Sequence, residues 1–238
     1  RGDNPTSTNR PTLVCGANAM TISNNNIWRN FIFTTSQISG VNTGQGMILE
    51  NVKVTSTNAT STNAAINFPS AYGRAINCEV INASGIGIKM NNTSGTSAIG
   101  CYIHGCTTGI SVTGVSETII AYNIISGNTT GILLTTTGLN GLQILNNTIF
   151  GAETPAGTGI DGSTATAPVR SIFMNNIIYG FTTGVNWQAS SPDNWWDYND
   201  FFNNTTDRTN VTAGPNDVAV NPGFTNTAGN DFSITGAI

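Results

Sequence analysis

Few residues in this chain can do chemistry, and they are scattered. Eight Lys and Arg, twelve Asp and Glu and a single His serve 238 residues, so any reactive centre must be assembled from a short set. Hydrolysis of a glycosidic bond needs two carboxylates, one as acid and the other as base or nucleophile. Proton abstraction beside a carboxylate needs a basic acceptor, often with Ca²⁺ held by a cluster of acidic residues. The catalytic candidates for such work are Asp197 and Asp200 in "NWWDYNDFF" and Asp161 in "GIDG", with Glu153 in "GAETPAGTG". Asp197 and Asp200 stand three residues apart across a turn, a spacing that does not by itself put them on one face. His104 has no Cys or Asp pattern around it with metal-ligand spacing, so the sequence implies no metal and no cofactor, and a surface or turn histidine is the default. Trp187, Trp195 and Trp196, with Tyr198, Phe201 and Phe202 close by, offer flat apolar faces that suit sugar CH groups. The same rings could plug an end of the fold that would otherwise expose a strand edge. Trp195 and Trp196 are adjacent, so in a strand one points in and the other out.

Composition narrows the partners. Only 8% of residues are charged and the formal net charge is −4, against roughly 25% charged residues in ordinary soluble domains. No run of Lys or Arg exists to track phosphates, which argues against nucleic acid. No stretch approaches the roughly 18 apolar residues of a membrane span, so no membrane partner is expected. Sparse Lys beside abundant Asn, Thr, Ser and Gly points to an extracellular, cell-surface or virion-surface setting. The opening "RGDNPTSTNRPT" has none of the regions of a signal peptide, and the chain stops in the strand-like "DFSITGAI". It reads as a mature or excised piece of something longer.

These residues must be positioned by a repeat. The segments "NFIF" at 30, "NVKV" at 51, "NCEV" at 77, "GCYI" at 100, "YNII" at 122, "NNTI" at 146, "NNII" at 175 and "YNDF" at 198 align. Their second letters form the column Phe31, Val52, Cys78, Cys101, Asn123, Asn147, Asn176, Asn199, spaced 21 to 29 residues apart. Their fourth letters, from Phe33 and Val54 to Ile178 and Phe201, are all apolar. A second strand follows most repeats after a glycine-marked turn, with the leading column Ile66, Ile86, Ile110, Ile132, Ile160, Val185. The period is two, and no segment carries a sustained helical stripe.

Strands this short cannot bury a face alone, but a coil of about 22 residues can stack each strand on its copy about 4.8 Å away. The expected fold class is all-β: a single-stranded right-handed parallel β-helix (solenoid) of about eight turns with three parallel sheets, roughly 38 Å long. The repeats resemble the pectate-lyase-like β-helix superfamily, whose coils read as an apolar residue, Asn, an apolar pair, a short turn and Gly-Ile. The resemblance spans residues 21–205, with 1–20 as a lead-in or cap and 206–238 as a closing segment. Asn123, Asn147, Asn176 and Asn199 are read as an inward amide ladder bonded to turn backbone, continued by Cys101 and Cys78. The two cysteines could be stacked thiols or a disulfide between neighbouring turns. Glu79 and Lys53 fall in one outward column and are read as a neutral cross-strand pair. The longer turns 55–65 and 150–159 should protrude.

Two functions fit this reading. The first is a non-catalytic display module at an extracellular or virion surface, touching glycans or further copies of itself through the long turns and the Trp195–Trp196 end. The second, implied by the resemblance, is a carbohydrate-active enzyme, a polysaccharide lyase or glycoside hydrolase, or a fragment of one. Outward carboxylates converging with an Arg or Lys on adjacent turns would favour the second.

Overall fold

The computed structural model describes residues 10–15, 20–35, 40–57, 62–82, 84–91, 94–114, 116–135, 140–164, 170–188 and 193–234. Three parallel sheets wind around one core. Sheet A stacks nine strands from Thr12–Cys15 to Asp200–Phe202, sheet B nine from Met20–Ile22 to Thr206–Thr209, and sheet C eight from Ile27–Arg29 to Trp195–Asp197. Chain order runs A, B, C, A, and neighbours within a sheet are one turn apart. That is the parallel β-helix expected, with eight complete turns. Its sheets include strands at Thr12–Cys15 and Thr206–Thr209, in the spans read from the sequence as lead-in and closing segment. Residues 1–9 and 58–61 lie outside the described residues.

The inner column of sheet A has the register read from the repeats: Phe33 pairs with Val54, Val54 with Val80, Val80 with Ile103, and so on to Phe201. All are buried. Sheet B departs from the reading at one turn. Ile88, not Ile86, pairs with Ile66 and Ile110, while Ile86 pairs with Ala64 and Thr108. The local sequence Gly-Ile-Gly-Ile fits both registers, and a slip of two residues leaves every side chain on its own face, so the alternation could not choose. In the true register Gly87 joins Gly109, Gly131, Gly159 and Gly184, where a Cβ would stand 2.5–2.6 Å from a carbonyl oxygen of the next turn. The recurring glycine therefore marks close stacking of backbones within sheet B rather than a turn. Sheet C had no signal of its own, because each of its three-residue strands turns only its middle side chain into the core, such as Leu49, Ala98, Ile144 or Phe173.

The corner from C to A follows one rule. Asn30, Asn51, Asn77, Gly100, Tyr122, Asn146, Asn175 and Tyr198 all have φ between 51° and 66°. Left-handed backbone costs an L-residue about 1–2 kcal/mol unless it is Gly or, to a lesser degree, Asn, which explains why Asn so often precedes the ladder.

The ladder itself is present. Asn147 Oδ1 accepts from the backbone N–H and the Nδ2 of Asn123, at 3.0 and 2.9 Å, and Asn147 Nδ2 donates to the Ile120 carbonyl and to Asn176 Oδ1. Asn176 and Asn199 repeat the pattern. Cys101 and Cys78 keep one half of it, their thiols donating to the carbonyls of Ala75 and Leu49. Cys78, Cys101 and Cys106 are free thiols, which settles the stacked-thiol alternative for Cys78 and Cys101. The far end closes on Asp217, whose Oδ1 accepts from both nitrogens of Asn199 and whose Oδ2 takes Arg208 and the Gly214 N–H. A carboxylate suits this last rung because nothing remains beyond it to receive a donor. A second, shorter set lies at the A-to-B corner: Asn128 bonds Cys106 and Ile103, and Asn204 bonds Phe181 and Ile178. Asn128 opens the sequon Asn128-Thr129-Thr130, but its side chain is buried and holds backbone.

Candidate functional site on the outer face of sheet A

The three carboxylates read as catalytic candidates do not converge. Asp161 lies on sheet B, Asp197 on sheet C and Asp200 on sheet A. Each also holds nearby chain. Asp161 Oδ1 accepts from the N–H and hydroxyl of Ser163. Asp197 accepts from Tyr198 and twice from Asn216; burial works against its charge, but those hydrogen bonds hold its carboxyl below the usual value. Asp200 accepts from the Val220 N–H, and burial pushes its carboxyl up. Glu153 ties the long turn to the C-terminal hairpin, accepting from Tyr179 at 2.7 Å and Thr227 at 2.6 Å. That hairpin, Phe224–Asn226 with Asp231–Ile234, is antiparallel and lays Phe224 and Phe232 on Phe150 and Tyr179 of sheet A.

The tryptophans divide as their adjacency requires. Trp196 stacks on Phe173 at 3.8 Å and meets Trp187 edge-on at 5.2 Å inside the coil, and Trp187 is 2% exposed. Trp195 is 60% exposed on sheet C. Two of the three rings are thus end-plug, and one faces solvent.

Convergence occurs elsewhere, on the outer face of sheet A. The outward positions there run Lys53, Glu79 and Tyr102 in one column and Thr55, Ile81, His104 and Ser126 in the next. Lys53 Nζ donates to Glu79 Oε1 at 2.9 Å, the cross-strand pair expected from their column. His104 Nε2 comes within 3.3 Å of the same oxygen. The His104 ring stacks on Tyr102 with centroids 4.1 Å apart, and Ser126 Oγ lies 3.5 Å from the Tyr102 hydroxyl. Cation, carboxylate, imidazole and phenol therefore meet on three successive turns.

Their electrostatics are coupled. Burial pushes the Glu79 carboxyl up, but hydrogen bonds from His104 and Lys53 outweigh it and hold the carboxyl below 4.5. Glu79 Oε2 is buried without a partner among the described residues. Burial raises the Tyr102 phenol, and the nearby Glu79 charge raises it further. An ionised Glu79 can only accept, so the His104 tautomer that satisfies it carries its proton on Nε2 and leaves a lone pair on Nδ1. The sequence signal for this group was half visible. Lys53 and Glu79 share a column, but Tyr102 and His104 sit two residues apart on one strand, in different columns of the same face, so no single column of the repeat holds the group.

Residues 12–167 match the family of the right handed beta helix region. The chain belongs to that family. Among solved structures, this β-helix is similar to the A-module of the Azotobacter vinelandii mannuronan C-5 epimerase AlgE6, with 16% identity and a TM-score of 0.59 over 82% of this chain and 56% of that one. At that identity the likeness is one of fold, and the chain spans a little over half of that module's length. A weaker likeness, TM-score 0.43 at 13% identity over 87% of this chain and 92% of the other, links it to a trypsin-treated variant of QnrB1, a plasmid-mediated fluoroquinolone resistance protein. No curated protein matches the chain.

Proposed function

We propose that this β-helix binds an acidic polysaccharide on the outer face of sheet A and moves a proton at the carbon beside a sugar carboxylate. The observation that carries this is the meeting of Lys53, Glu79, Tyr102 and His104 on adjacent turns, in a chain with so few ionisable groups. Lys53 has three donors and gives one to Glu79, so the others can take the substrate carboxylate and stabilise charge that develops on it. His104 Nδ1 accepts the proton, and the Tyr102 hydroxyl supplies one. The fold likeness to a mannuronan C-5 epimerase supports a uronate as the substrate.

The geometry favours elimination over epimerisation. Inverting a carbon requires proton removal from one face of the sugar and return to the other, whereas the stacked Tyr102 and His104 rings approach a bound sugar from one side. In elimination His104 takes the C5 proton, the C4–O bond breaks, the leaving oxygen takes the Tyr102 proton, and a C4–C5 double bond remains. A display role without turnover is the second reading, favoured by the pairing of Lys53 with Glu79, which neutralises the only cation of the group. The extracellular or virion-surface setting and contacts with further copies of the chain belong to the same proposal, supported by the sparse Lys and the neutral polar surface.

Incubation with polymannuronate and polygalacturonate in heavy water separates these readings. The expected products are unsaturated chain ends, lost in His104→Ala and in Tyr102→Phe with the fold retained. Deuterium at C5 without cleavage would replace elimination by epimerisation. Binding without either product would leave the display role, and absence of binding would remove the proposal.

A further inference from the structure

The C-to-A corner asks for Asn or Gly and gets it in six of eight turns. Tyr122 and Tyr198 are the exceptions, with φ of 59° and 57°. A residue with a bulky side chain is retained in left-handed backbone where something else holds it there, and such outliers gather at functional sites. Packing does not explain these two, because Tyr122 is 66% and Tyr198 52% exposed. The ladder does not require them either: Asn146 and Asn175 hold the same corner position, and the amide rung follows each of them as it follows Tyr122 and Tyr198. Tyr122 lies two residues before Ile124, whose strand pairs with Tyr102–His104, so it borders the site on sheet A. Tyr198 is three turns further along, about 14 Å at the spacing of stacked strands. The solvent-facing Trp195 is three residues earlier in the chain.

We infer that Tyr122, Asn146, Asn175 and Tyr198 form a glycan-binding track along this corner, parallel to the coil axis. It rests on the reading of sheet A as a carbohydrate site and adds where the chain of sugars lies. The two phenol rings take the CH faces of two sugars, as amphipathic rings with an apolar body and a polar tip can do at a wet surface. The amides between them offer donors and acceptors to hydroxyls. The four side chains carry no charge, so the track takes neutral and acidic glycans alike and leaves discrimination for uronates to Lys53.

The test is Tyr122→Asn and Tyr198→Asn, alone and together, with Tyr122→Phe and Lys53→Met as controls, measured by calorimetric binding and thermal melting. The probes are long and short polymannuronate and a neutral xylan. Each Tyr→Asn change should raise the melting temperature by about 2–4 °C, since Asn suits the backbone better, yet weaken long polymannuronate and xylan about tenfold. Tyr122→Phe should keep most of the affinity. Chains too short to bridge the two rings should lose nothing more from the second substitution. Lys53→Met should weaken polymannuronate and spare xylan. A Tyr→Asn variant that gains stability and binds unchanged would overturn the track while leaving the sheet A site intact. One that loses stability would show the ring to be structural and overturn it as well. A wild-type protein that binds none of the probes would remove both the track and the proposal beneath it.

Discussion

Along the inner face of sheet A, from Phe33 to Phe201, every turn buries one large apolar side chain, and the neighbouring ladder position hands the same hydrogen bonds from Asn123 to Asn199. Along the outer face of the same strands the chemistry changes at every step. Lys53, Glu79 and Tyr102 with His104 give way to Ile124, then to Phe150 and Tyr179 beneath the C-terminal hairpin. The inner face must satisfy one requirement eight times, because each coil buries its backbone against the next. The outer face has no requirement that repeats in every coil, so its residues can differ from one turn to the next. A site that needs one lysine, one carboxylate and one imidazole can therefore occupy three turns without disturbing the coil, and the two faces should respond to substitution in opposite ways.

The largest effect belongs to the interior. Asn147→Leu takes the acceptor from the Asn123 N–H and from one of the two Asn123 Nδ2 donors, the other keeping the Ala98 carbonyl, and takes the side-chain donor from the Ile120 carbonyl, at about 1–3 kcal/mol for each buried group left unpaired. Urea unfolding should show a loss of about 3 kcal/mol or more, with glycan binding by the remaining folded protein unchanged. Next comes the end of the ladder. Asp217→Asn keeps an acceptor for Asn199 but removes the charge facing Arg208, and should cost about 1.5–3 kcal/mol in the same assay. On the outer face, Lys53→Met leaves the buried Glu79 carboxylate with His104 and should cost about 1–2 kcal/mol while weakening polymannuronate binding. A large stability loss there would erase the contrast between the faces. Smallest is Cys101→Ser, which retains a donor toward the Ala75 carbonyl and should stay within about 1 kcal/mol of wild type.

Acid sharpens the same contrast. Glu79 is held below its ordinary 4.5 by His104 and Lys53, so the stability it adds is present above that value and is lost as the pH falls through its lower folded value. Urea midpoints of wild type and Glu79→Gln should differ by a constant amount above about pH 5 and approach each other in more acidic buffer. In Lys53→Met one of the two restraining groups is gone, and the acid loss should begin at a higher pH.

What could be read from the chain follows this division. Redundancy makes the interior legible: eight copies of one apolar position and four consecutive Asn rungs set the register of sheet A. Where redundancy failed, so did the reading. Ile86 was preferred to Ile88 because a repeated Gly-Ile dipeptide fits two registers. Sheet C left no alternation because one core-facing residue per strand has no period. The amides of Asn128 and Asn204 went unread because the long turn at 150–159 interrupts their spacing. The outer site occurs once and crosses two columns, so only its Lys53–Glu79 edge could be read. Asp161, Asp197 and Asp200 were conspicuous as carboxylates, but the topology sends them to three different sheets.

His104 is the only histidine in the chain, so its ring protons give a single assignable set of resonances. A proton NMR titration of the folded protein with polymannuronate at fixed pH observes the outer face of sheet A directly. The His104 signals should shift in a saturable manner, and Lys53→Met, folded and otherwise unperturbed, should remove the shift. His104 signals that stay in place while the polysaccharide binds, or while it is turned over, would put the chemistry somewhere other than Lys53, Glu79, Tyr102 and His104.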